Sequence, residues 1–251
     1  MIEMYYDVHC HLNMLSEKEL TQELAKSSEN NVTSMISCST SFHSNKQNLL
    51  LSKKFEQIKA GIGLYPLDVM ELEPEEIKKA FGYFDKHVNE AIAIGEVGLD
   101  HKYTKNNSEK QKQEELFIQF IELAKKHDKP IIIHSRYAQR DVLNILENEA
   151  AKKVLLHSFI ESKKLMKIAA ENNWFVGVGM NLLSNEDTMA NISLFPIENL
   201  LFETDSPIRF NGEKAMPSNI PNIANKVAEL KEIELAKLVK QQEKNYKALF
   251  L

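Results

Sequence analysis

Residues 4–11 read Met-Tyr-Tyr-Asp-Val-His-Cys-His, a short β-type run that ends in two histidines two positions apart. In an extended backbone such side chains point to the same side, so His9 and His11 can hold one metal ion. The same alternation turns Cys10 away, and we expect a packed thiol there. A lone pair of this kind is a weak signal, and its meaning depends on the residues at the ends of the other apolar runs.

Short β-type runs alternate with longer helical patterns along the whole sequence. Regular alternation of this kind predicts an α/β fold, a (β/α)8 TIM-like barrel of parallel strands. The length of 251 residues suits one such barrel, and no linker divides it, so residues 1–251 are expected to form a single domain. The predicted strands are Met4–Val8, Val32–Cys38, Ile58–Leu64, Ala91–Ile94, Ile131–His134, Val154–His157, Trp174–Val178 and Leu200–Phe202.

The helical patterns carry their own start and stop signals. Between the fourth and fifth strands, Ser108 and Gln111 form a capping-box pattern ahead of apolar residues at helical spacing. Pro130 ends that helix and opens the next strand. The tail from Pro221 to Leu251 is predicted to form two helices.

Six residues able to bind a metal follow five of the predicted strands. Active sites of parallel barrels lie at the C-terminal ends of the strands, so these side chains should converge without long loops. Four imidazoles and two carboxylates in such positions predict a metal-dependent hydrolytic centre. The candidate ligands are His9, His11, Glu96, His134, His157 and Asp205. The four histidines without comparable positions are His43, His87, His101 and His127.

Bulk composition excludes several classes of protein. With 43% hydrophobic and 27% charged residues the chain is globular rather than disordered. A net charge of -5 argues against nonspecific coating of nucleic acid, although bound cations can reverse the sign locally. Two cysteines are too few for a disulfide framework. Without a leader pattern or a membrane span, a cytoplasmic protein is expected, with no membrane association and no obligate protein partner.

Five segments resemble the signature blocks of the TatD-type metal-dependent hydrolases, within the amidohydrolase superfamily. The blocks are Asp7–Leu12, Gly95–Asp100, Ile133–Arg136, His157–Phe159 and Glu203–Pro207. They occur in the family's order and at roughly its spacing, and the resemblance covers essentially the whole chain. It implies a divalent-metal-dependent deoxyribonuclease that acts on single strands or ends of DNA with 3′ to 5′ polarity.

The resemblance also implies the ligand assignments. The histidine pair after the first strand would bind one divalent ion. His134 and His157 would bind a second ion, with Glu96 bridging the two. Asp205 would bind the first ion and accept a proton from the attacking water. The mixed nitrogen and oxygen donors suit Zn²⁺, Mn²⁺ or Mg²⁺, and the sequence does not choose among them.

Three further polar residues lie beside these ligands in the sequence. Arg136 follows His134 by two positions, which makes it the predicted substrate-binding residue, through a bidentate contact with phosphate. A salt bridge that orients a ligand carboxylate is an equally weighted alternative. Glu203 and Asp7 are expected to support the site structurally rather than to act as bases.

One departure from the family pattern bears on the substrate. Many relatives have His-Pro-His after the third strand, where this chain has Tyr65-Pro66-Leu67. We expect Tyr65 to pack on the barrel rim, with a hydrogen bond from its hydroxyl to phosphate as the second interpretation. An ester or amide hydrolase at the same centre, such as an aminoacyl-tRNA deacylase, therefore stays open. A non-catalytic binding protein is the third interpretation, and the retention of all six ligands argues against it.

Overall fold

The computed structural model describes residues 3–251, in which eight strands form one parallel sheet. The strand order follows the chain, and each strand pairs with the next in parallel. The sheet curls into a nearly closed barrel, which confirms the predicted (β/α)8 fold. The strands are β1 (Tyr5–Cys10), β2 (Val32–Cys38), β3 (Ile58–Ile62), β4 (Ala93–Asp100), β5 (Ile131–Arg136), β6 (Val154–Leu156), β7 (Phe175–Val178) and β8 (Leu200–Phe202).

At least one helix lies between each pair of consecutive barrel strands, and two helices follow the barrel, as predicted for the tail. The helices are α1 (Glu17–Glu29), α2 (Phe42–Lys54), α3 (Pro66–Met70), α4 (Pro74–His87), α5 (Asn107–Lys126), α6 (Gln139–Asn148), α7 (Lys163–Glu171), α8 (Glu186–Leu194), α9 (Ile220–Lys231) and α10 (Leu235–Phe250). After β8, a small hairpin is formed by β9 (Arg209–Phe210) and β10 (Glu213–Lys214). Across residues 3–251, no helix combines the length and apolar character needed to cross a bilayer.

The start of α5 differs from its prediction. The Asn106 side chain accepts a hydrogen bond from the Glu109 backbone N–H at 3.0 Å, and the helix begins at the next residue, Asn107. The capping box predicted at Ser108 and Gln111 is therefore wrong. Asparagine caps a helix as well as serine does, and the asparagine comes first in the chain.

Three strands extend beyond their predicted ends. β5 continues past His134 to Arg136. β1 continues through His9 to Cys10, and β4 begins at Ala93 and continues to Asp100, where the prediction ended at Ile94. The added part of β4 pairs with β5 up to the partners Asp100 and Arg136, after an irregularity between Ile94 and Val97. This segment contains glycines and acidic residues, so the hydrophobic pattern did not identify it as part of a strand. Glu96 therefore lies inside a strand and not after it.

β3 is shorter than predicted, because it ends at Ile62 and not at Leu64. The Asn45 side chain makes hydrogen bonds with both backbone polar groups of Gly63. Its Oδ1 accepts from the Gly63 N–H at 2.9 Å, and its Nδ2 donates to the Gly63 carbonyl at 2.8 Å. These bonds take the place of a strand ladder. The chain then turns into α3 at Pro66.

A second, smaller apolar cluster fills the barrel interior below the site. Its members come from six different strands, which can meet only inside the barrel, and α10 closes the cluster from the N-terminal end of the strands. The residues are Val8, Ile36, Cys38, Ala93, Ile132, Leu155 and Leu201, with Tyr246, Leu249 and Phe250 from α10. Side chains two positions further along a strand lie one layer higher. His134, His157 and Glu203 occupy that higher layer.

Candidate metal centre

Four predicted ligands converge at the C-terminal end of the barrel. The Nε2 atoms of His9 and His11 lie 3.2 Å apart. Asp205 Oδ1 lies 3.4 Å and 3.2 Å from these two nitrogens, and Glu96 Oε2 lies 3.6 Å and 3.5 Å from them. Ligands held tetrahedrally about 2.1 Å from one ion are about 3.4 Å apart. The spacing of the His9, His11 and Asp205 donor atoms therefore fits a single divalent cation, with Glu96 beside the two histidines.

The two remaining histidines flank this set. The His157 ring stacks on His9 with centroids 3.6 Å apart, and its Nε2 lies 3.7 Å from Asp205 Oδ2. His134 Nδ1 lies 2.7 Å from Glu96 Oε1. The two oxygens of Glu96 thus face different partners, as a carboxylate between two ions requires.

Two groups with metal-ligand spacing occur among residues 3–251. They are His9 with Glu96 and His157, and His9 with His11 and Asp205. His134 belongs to neither group and reaches the cluster through Glu96. The four histidines without a predicted role also stay outside both groups.

Backbone hydrogen bonds between the end of β1 and the segment after β8 hold Asp205 beside His9 and His11. The Asp205 N–H donates to the His9 carbonyl at 2.9 Å, and the His11 N–H donates to the Ser206 carbonyl at 2.6 Å. Asp205 has a φ of 56°, a left-handed conformation that aspartate tolerates better than most residues. Strained backbone of this kind persists where its surroundings over-determine it, and it is concentrated at functional sites.

Glu203 supports His157 from the barrel interior, in agreement with its expected structural role. Its Oε1 lies 3.0 Å from His157 Nδ1 and accepts the Ser158 N–H at 2.7 Å. A Cβ on Gly177 would lie 2.0 Å from Glu203 Oε2, so only glycine leaves room for the carboxylate. A carboxylate on the second ring nitrogen of a histidine fixes its orientation for metal binding.

Asp7 ties the first strand to the segment after β8. Its Oδ1 accepts the backbone N–H groups of His9 at 3.2 Å and Thr204 at 3.1 Å, and its Oδ2 accepts the Thr204 hydroxyl. Burial raises the pKa of Asp7 to about 8, and these hydrogen bonds only partly offset that effect. The expected structural role of Asp7 agrees with these contacts.

Asp100 is the residue of this site that the sequence analysis missed. Its side chain is buried, and Arg136 donates to its Oδ2 from Nε at 2.9 Å and Nη2 at 2.6 Å. Arg136 therefore makes a salt bridge, as one of its two interpretations expected, although its partner Asp100 is not one of the predicted ligands. Strand alternation from Glu96 could have found Asp100, because residues four positions apart share a face.

Tyr65 joins the same network: its half-buried ring packs edge-on against His134, with centroids 4.7 Å apart, and its hydroxyl makes hydrogen bonds within the protein. Its hydroxyl donates to Asp100 Oδ2 at 2.6 Å and lies 3.1 Å from His134 Nε2. Arg136 Nη2 lies 3.3 Å from the same hydroxyl oxygen. The second ring nitrogen of His134 therefore faces a phenol and a carboxylate.

The electrostatics of the cluster favour bound cations. Burial raises the pKa of the Asp205 carboxyl, but His157 and hydrogen bonds from His11 and His9 outweigh this and hold that pKa well below its usual value. The pKa of Glu96 is also lowered, because His134 and His9 outweigh its burial. Conversely, burial lowers the pKa of His157, but Glu203 and Asp205 together raise it to about 10. Anionic carboxylates that raise the proton affinity of a histidine also attract metal ions.

Access to the ligands is uneven. The Asp205 side chain is 26% exposed and that of His134 13%, whereas His9 is fully buried. A substrate must therefore approach from the side of Asp205 and His134. A separate cavity of about 780 Å³ lies at the opposite end of the barrel, where β3 to β6 begin, and it contains none of the predicted ligands.

A parallel barrel that gathers histidines and carboxylates at the C-terminal ends of its strands defines the class of metal-dependent barrel hydrolases. The family model described as TatD related DNase matches residues 6–251. The chain therefore belongs to the TatD family, and the resemblance to TatD-type metal-dependent hydrolases is confirmed.

Individual relatives agree with this assignment. The chain is 29% identical to a Bacillus subtilis protein named uncharacterized metal-dependent hydrolase YabD, over 98% of this chain and 99% of that protein. It is 26% identical to the human protein named deoxyribonuclease TATDN3, over 97% and 93%. The crystal structure of YJJV, a TatD homologue from Escherichia coli K12, superposes with a TM-score of 0.90 at 22% identity, covering 100% and 99% of the two chains. That likeness supports the fold.

Proposed function

We propose that this chain is a divalent-metal-dependent deoxyribonuclease that hydrolyses phosphodiester bonds of DNA. The metal-dependent chemistry is carried by two carboxylate oxygens, from Asp205 and Glu96, that each lie within 3.6 Å of the His9 and His11 imidazole nitrogens. The choice of DNA is supported by the family and by the human relative named a deoxyribonuclease.

The donor atoms divide into two sets. His9, His11 and Asp205 would hold one ion. His134 and His157 would hold a second, with Glu96 facing both sets through its two oxygens. Two divalent ions at such a centre lower the pKa of the attacking water and polarise the phosphoryl oxygen. Zn²⁺, Mn²⁺ and Mg²⁺ all suit these donors.

Asp205 is the proposed base. Its Oδ1 faces His9 and His11, while Oδ2 is farther from any histidine, at 3.7 Å from His157. One oxygen can thus bind while the other accepts a proton from water. Its lowered pKa keeps the carboxylate ionised at neutral pH. Its partial exposure leaves room for the water and the phosphodiester.

The placement of the site favours a strand end or a single strand over the middle of a duplex. The ligands are mostly buried at the barrel rim, and only Asp205 and His134 have appreciable exposure. A single strand can bend its backbone into such an opening more readily than a stiff duplex. The 3′ to 5′ polarity is proposed on the family resemblance alone.

A second candidate is hydrolysis of an ester or amide, such as a misattached aminoacyl group on tRNA. It is favoured by the engagement of Arg136, whose Nε and Nη2 both donate to Asp100. Fewer guanidinium donors then remain for phosphate. The half-buried Leu67 adds an apolar side chain on α3, near Tyr65. A carbonyl substrate would use the same ions and the same base.

The test uses metal-stripped protein, with Mg²⁺, Mn²⁺ or Zn²⁺ restored, and single-stranded DNA labelled separately at each end. We expect metal-dependent shortening that Asp205→Asn reduces at least about 1,000-fold, since that variant removes both a ligand and the base. The matched control is Asp128→Asn, an 86% exposed carboxylate at the opposite end of the barrel, which should leave the rate unchanged.

One result would count against the deoxyribonuclease and another against the assigned base. DNA that stays intact with every metal would refute it, and esters and aminoacyl-tRNA would then be tested on the same protein. Equal cleavage by wild type and Asp205→Asn would refute the assigned base. The end label lost first reports the polarity.

A further inference from the structure

The loop after β4 presents an exposed aromatic ring beside the metal centre. Tyr103 is 50% exposed. The guanidinium carbon of Arg136 lies 4.9 Å from its ring centroid, and the ammonium of Lys102 lies 5.4 Å from it. Within residues 3–251, Lys102 makes no ion pair. A half-exposed ring with two cations over it therefore lies at this rim, and its exposed part is accessible to a ligand.

This ring is linked to the proposed ligands by a short series of contacts. Arg136 stacks on Tyr103 and donates to Asp100 Oδ2 at 2.6 Å and 2.9 Å. The same oxygen lies 3.3 Å from His134 Nε2. The loop itself is tied to β5, because the His101 N–H donates to the Arg136 carbonyl at 2.9 Å. These contacts connect the loop that carries the ring to His134.

The chemistry of this surface selects its ligand. A flat aromatic ring stacks on nucleobases of any sequence, and a cation beside it adds attraction for the base and for phosphate. A duplex keeps its bases stacked inside, so only an unpaired base can reach the ring. Within the described part of the chain, no carboxylate pairs with Lys102, so its ammonium suits a phosphate of the same strand.

We propose that Tyr103, with Arg136 and Lys102, forms a subsite that stacks an unpaired nucleobase next to the bond being cleaved. This inference rests on the proposed function, because it assigns to the same site a preference for single-stranded nucleic acid. The ring supplies the stacking surface. The two cations orient the neighbouring phosphate towards the side where Asp205 and His134 are exposed.

The competing explanation is that Tyr103 only holds Arg136 in place. The two are separated by comparing an eight-nucleotide oligothymidylate with an abasic deoxyribose-phosphate strand of equal length. Binding is measured by fluorescence anisotropy with metal present, in the Asp205→Asn background so that the strand is not cleaved. In that background, Tyr103→Ala should weaken binding of the oligothymidylate about 5- to 100-fold and change abasic binding less than about twofold.

Two controls complete the design. Tyr103→Phe keeps the ring and should bind both strands within about twofold of the parent, since stacking does not need the hydroxyl. Tyr137 lies on the same rim and is 72% exposed, and among residues 3–251 no cation lies over its ring. Tyr137→Ala should therefore leave the affinities for both strands unchanged. Equal losses in Tyr103→Ala and Tyr137→Ala would overturn the assignment to Tyr103.

The remaining outcomes distinguish the subsite from the function on which it rests. If Tyr103→Ala weakens binding of both strands equally, the ring acts only through Arg136 and the subsite is refuted, while DNA binding stands. If the parent binds the two strands with equal affinity, the base is not recognised and the subsite is likewise refuted. If the parent binds neither strand, the proposed function fails together with the subsite.

Discussion

Gly98 of β4 pairs with His134 of β5, and its replacement by alanine gives a direct test of how the site is built. Its φ angle is 138°, a conformation that is strained for residues with a side chain. A Cβ at this position would lie 2.1 Å from the carbonyl oxygen of His134. That oxygen belongs to the backbone of β5, so rotating a side chain cannot relieve the overlap.

The size of the effect follows from these distances. Ordinary contact with a Cβ begins at 3.4 Å, so the two strands would have to separate by more than about 1 Å at His134. Strained backbone costs about 1–3 kcal/mol and overpacking a similar amount, so Gly98→Ala should lower the free energy of unfolding by about 3–5 kcal/mol. The shift also moves His134 away from Glu96. A displacement near 1 Å at a reacting centre reduces turnover about 100-fold.

The assay is urea unfolding followed by circular dichroism, with cleavage of labelled DNA measured on the same preparations. The matched control is Gly82→Ala in α4, where an added Cβ meets nothing within 4 Å outside its own helix and chain neighbours. That control should raise the free energy of unfolding by about 0.5–1 kcal/mol, as glycine is unfavourable inside a helix. If Gly98→Ala unfolds at the wild-type urea concentration, the proposed contact between β4 and β5 is wrong.

Two further substitutions test the periphery of the site and the surface. Glu203→Gln removes the negative charge that faces His157 Nδ1 at 3.0 Å. The rate of DNA cleavage at saturating metal should fall about 10-fold, while the circular dichroism spectrum stays unchanged. A wild-type cleavage rate would contradict the role of Glu203 in orienting His157. The Lys214 ammonium at 2.6 Å, aided by Ser16, lowers the pKa of exposed Glu19 from 4.5 to about 2, so this carboxylate stabilises the fold above pH 4.5 and the effect disappears as the pH falls towards 2. The melting temperature of Glu19→Gln should therefore lie below that of wild type at pH 6 and converge with it near pH 2, and a constant difference would refute the pairing.

The strands that could be predicted from sequence were those that consist mainly of apolar residues. β2 and β8 were predicted with their observed bounds, because apolar and β-branched side chains predominate in both. β4 was truncated, since half of it consists of glycine and acidic residues. Those residues are buried because they serve the site, which is where hydrophobic patterning is expected to fail.

The contacts of Asp100 in the site could not be predicted from the sequence. Ligand positions follow from strand ends, and these depend on topology alone. The partnership of Asp100 with Arg136 and Tyr65 depends on which rim side chains meet across different strands. Tyr65 lies 35 residues before Asp100 in the chain, and neither alternation nor spacing connects the two. Only the folded barrel brings them together.

The buried carboxylates at this end of the barrel differ in their basic partners. Buried carboxylates require compensating positive charge. Asp100 has such a partner, since Arg136 donates to it at 2.6 Å. Among residues 3–251, Glu96, Glu203 and Asp205 are paired only with histidines and have no lysine or arginine within 4.0 Å. When their histidines are neutral, as metal ligands must be, these carboxylates lack compensating charge, and a bound divalent cation would supply it.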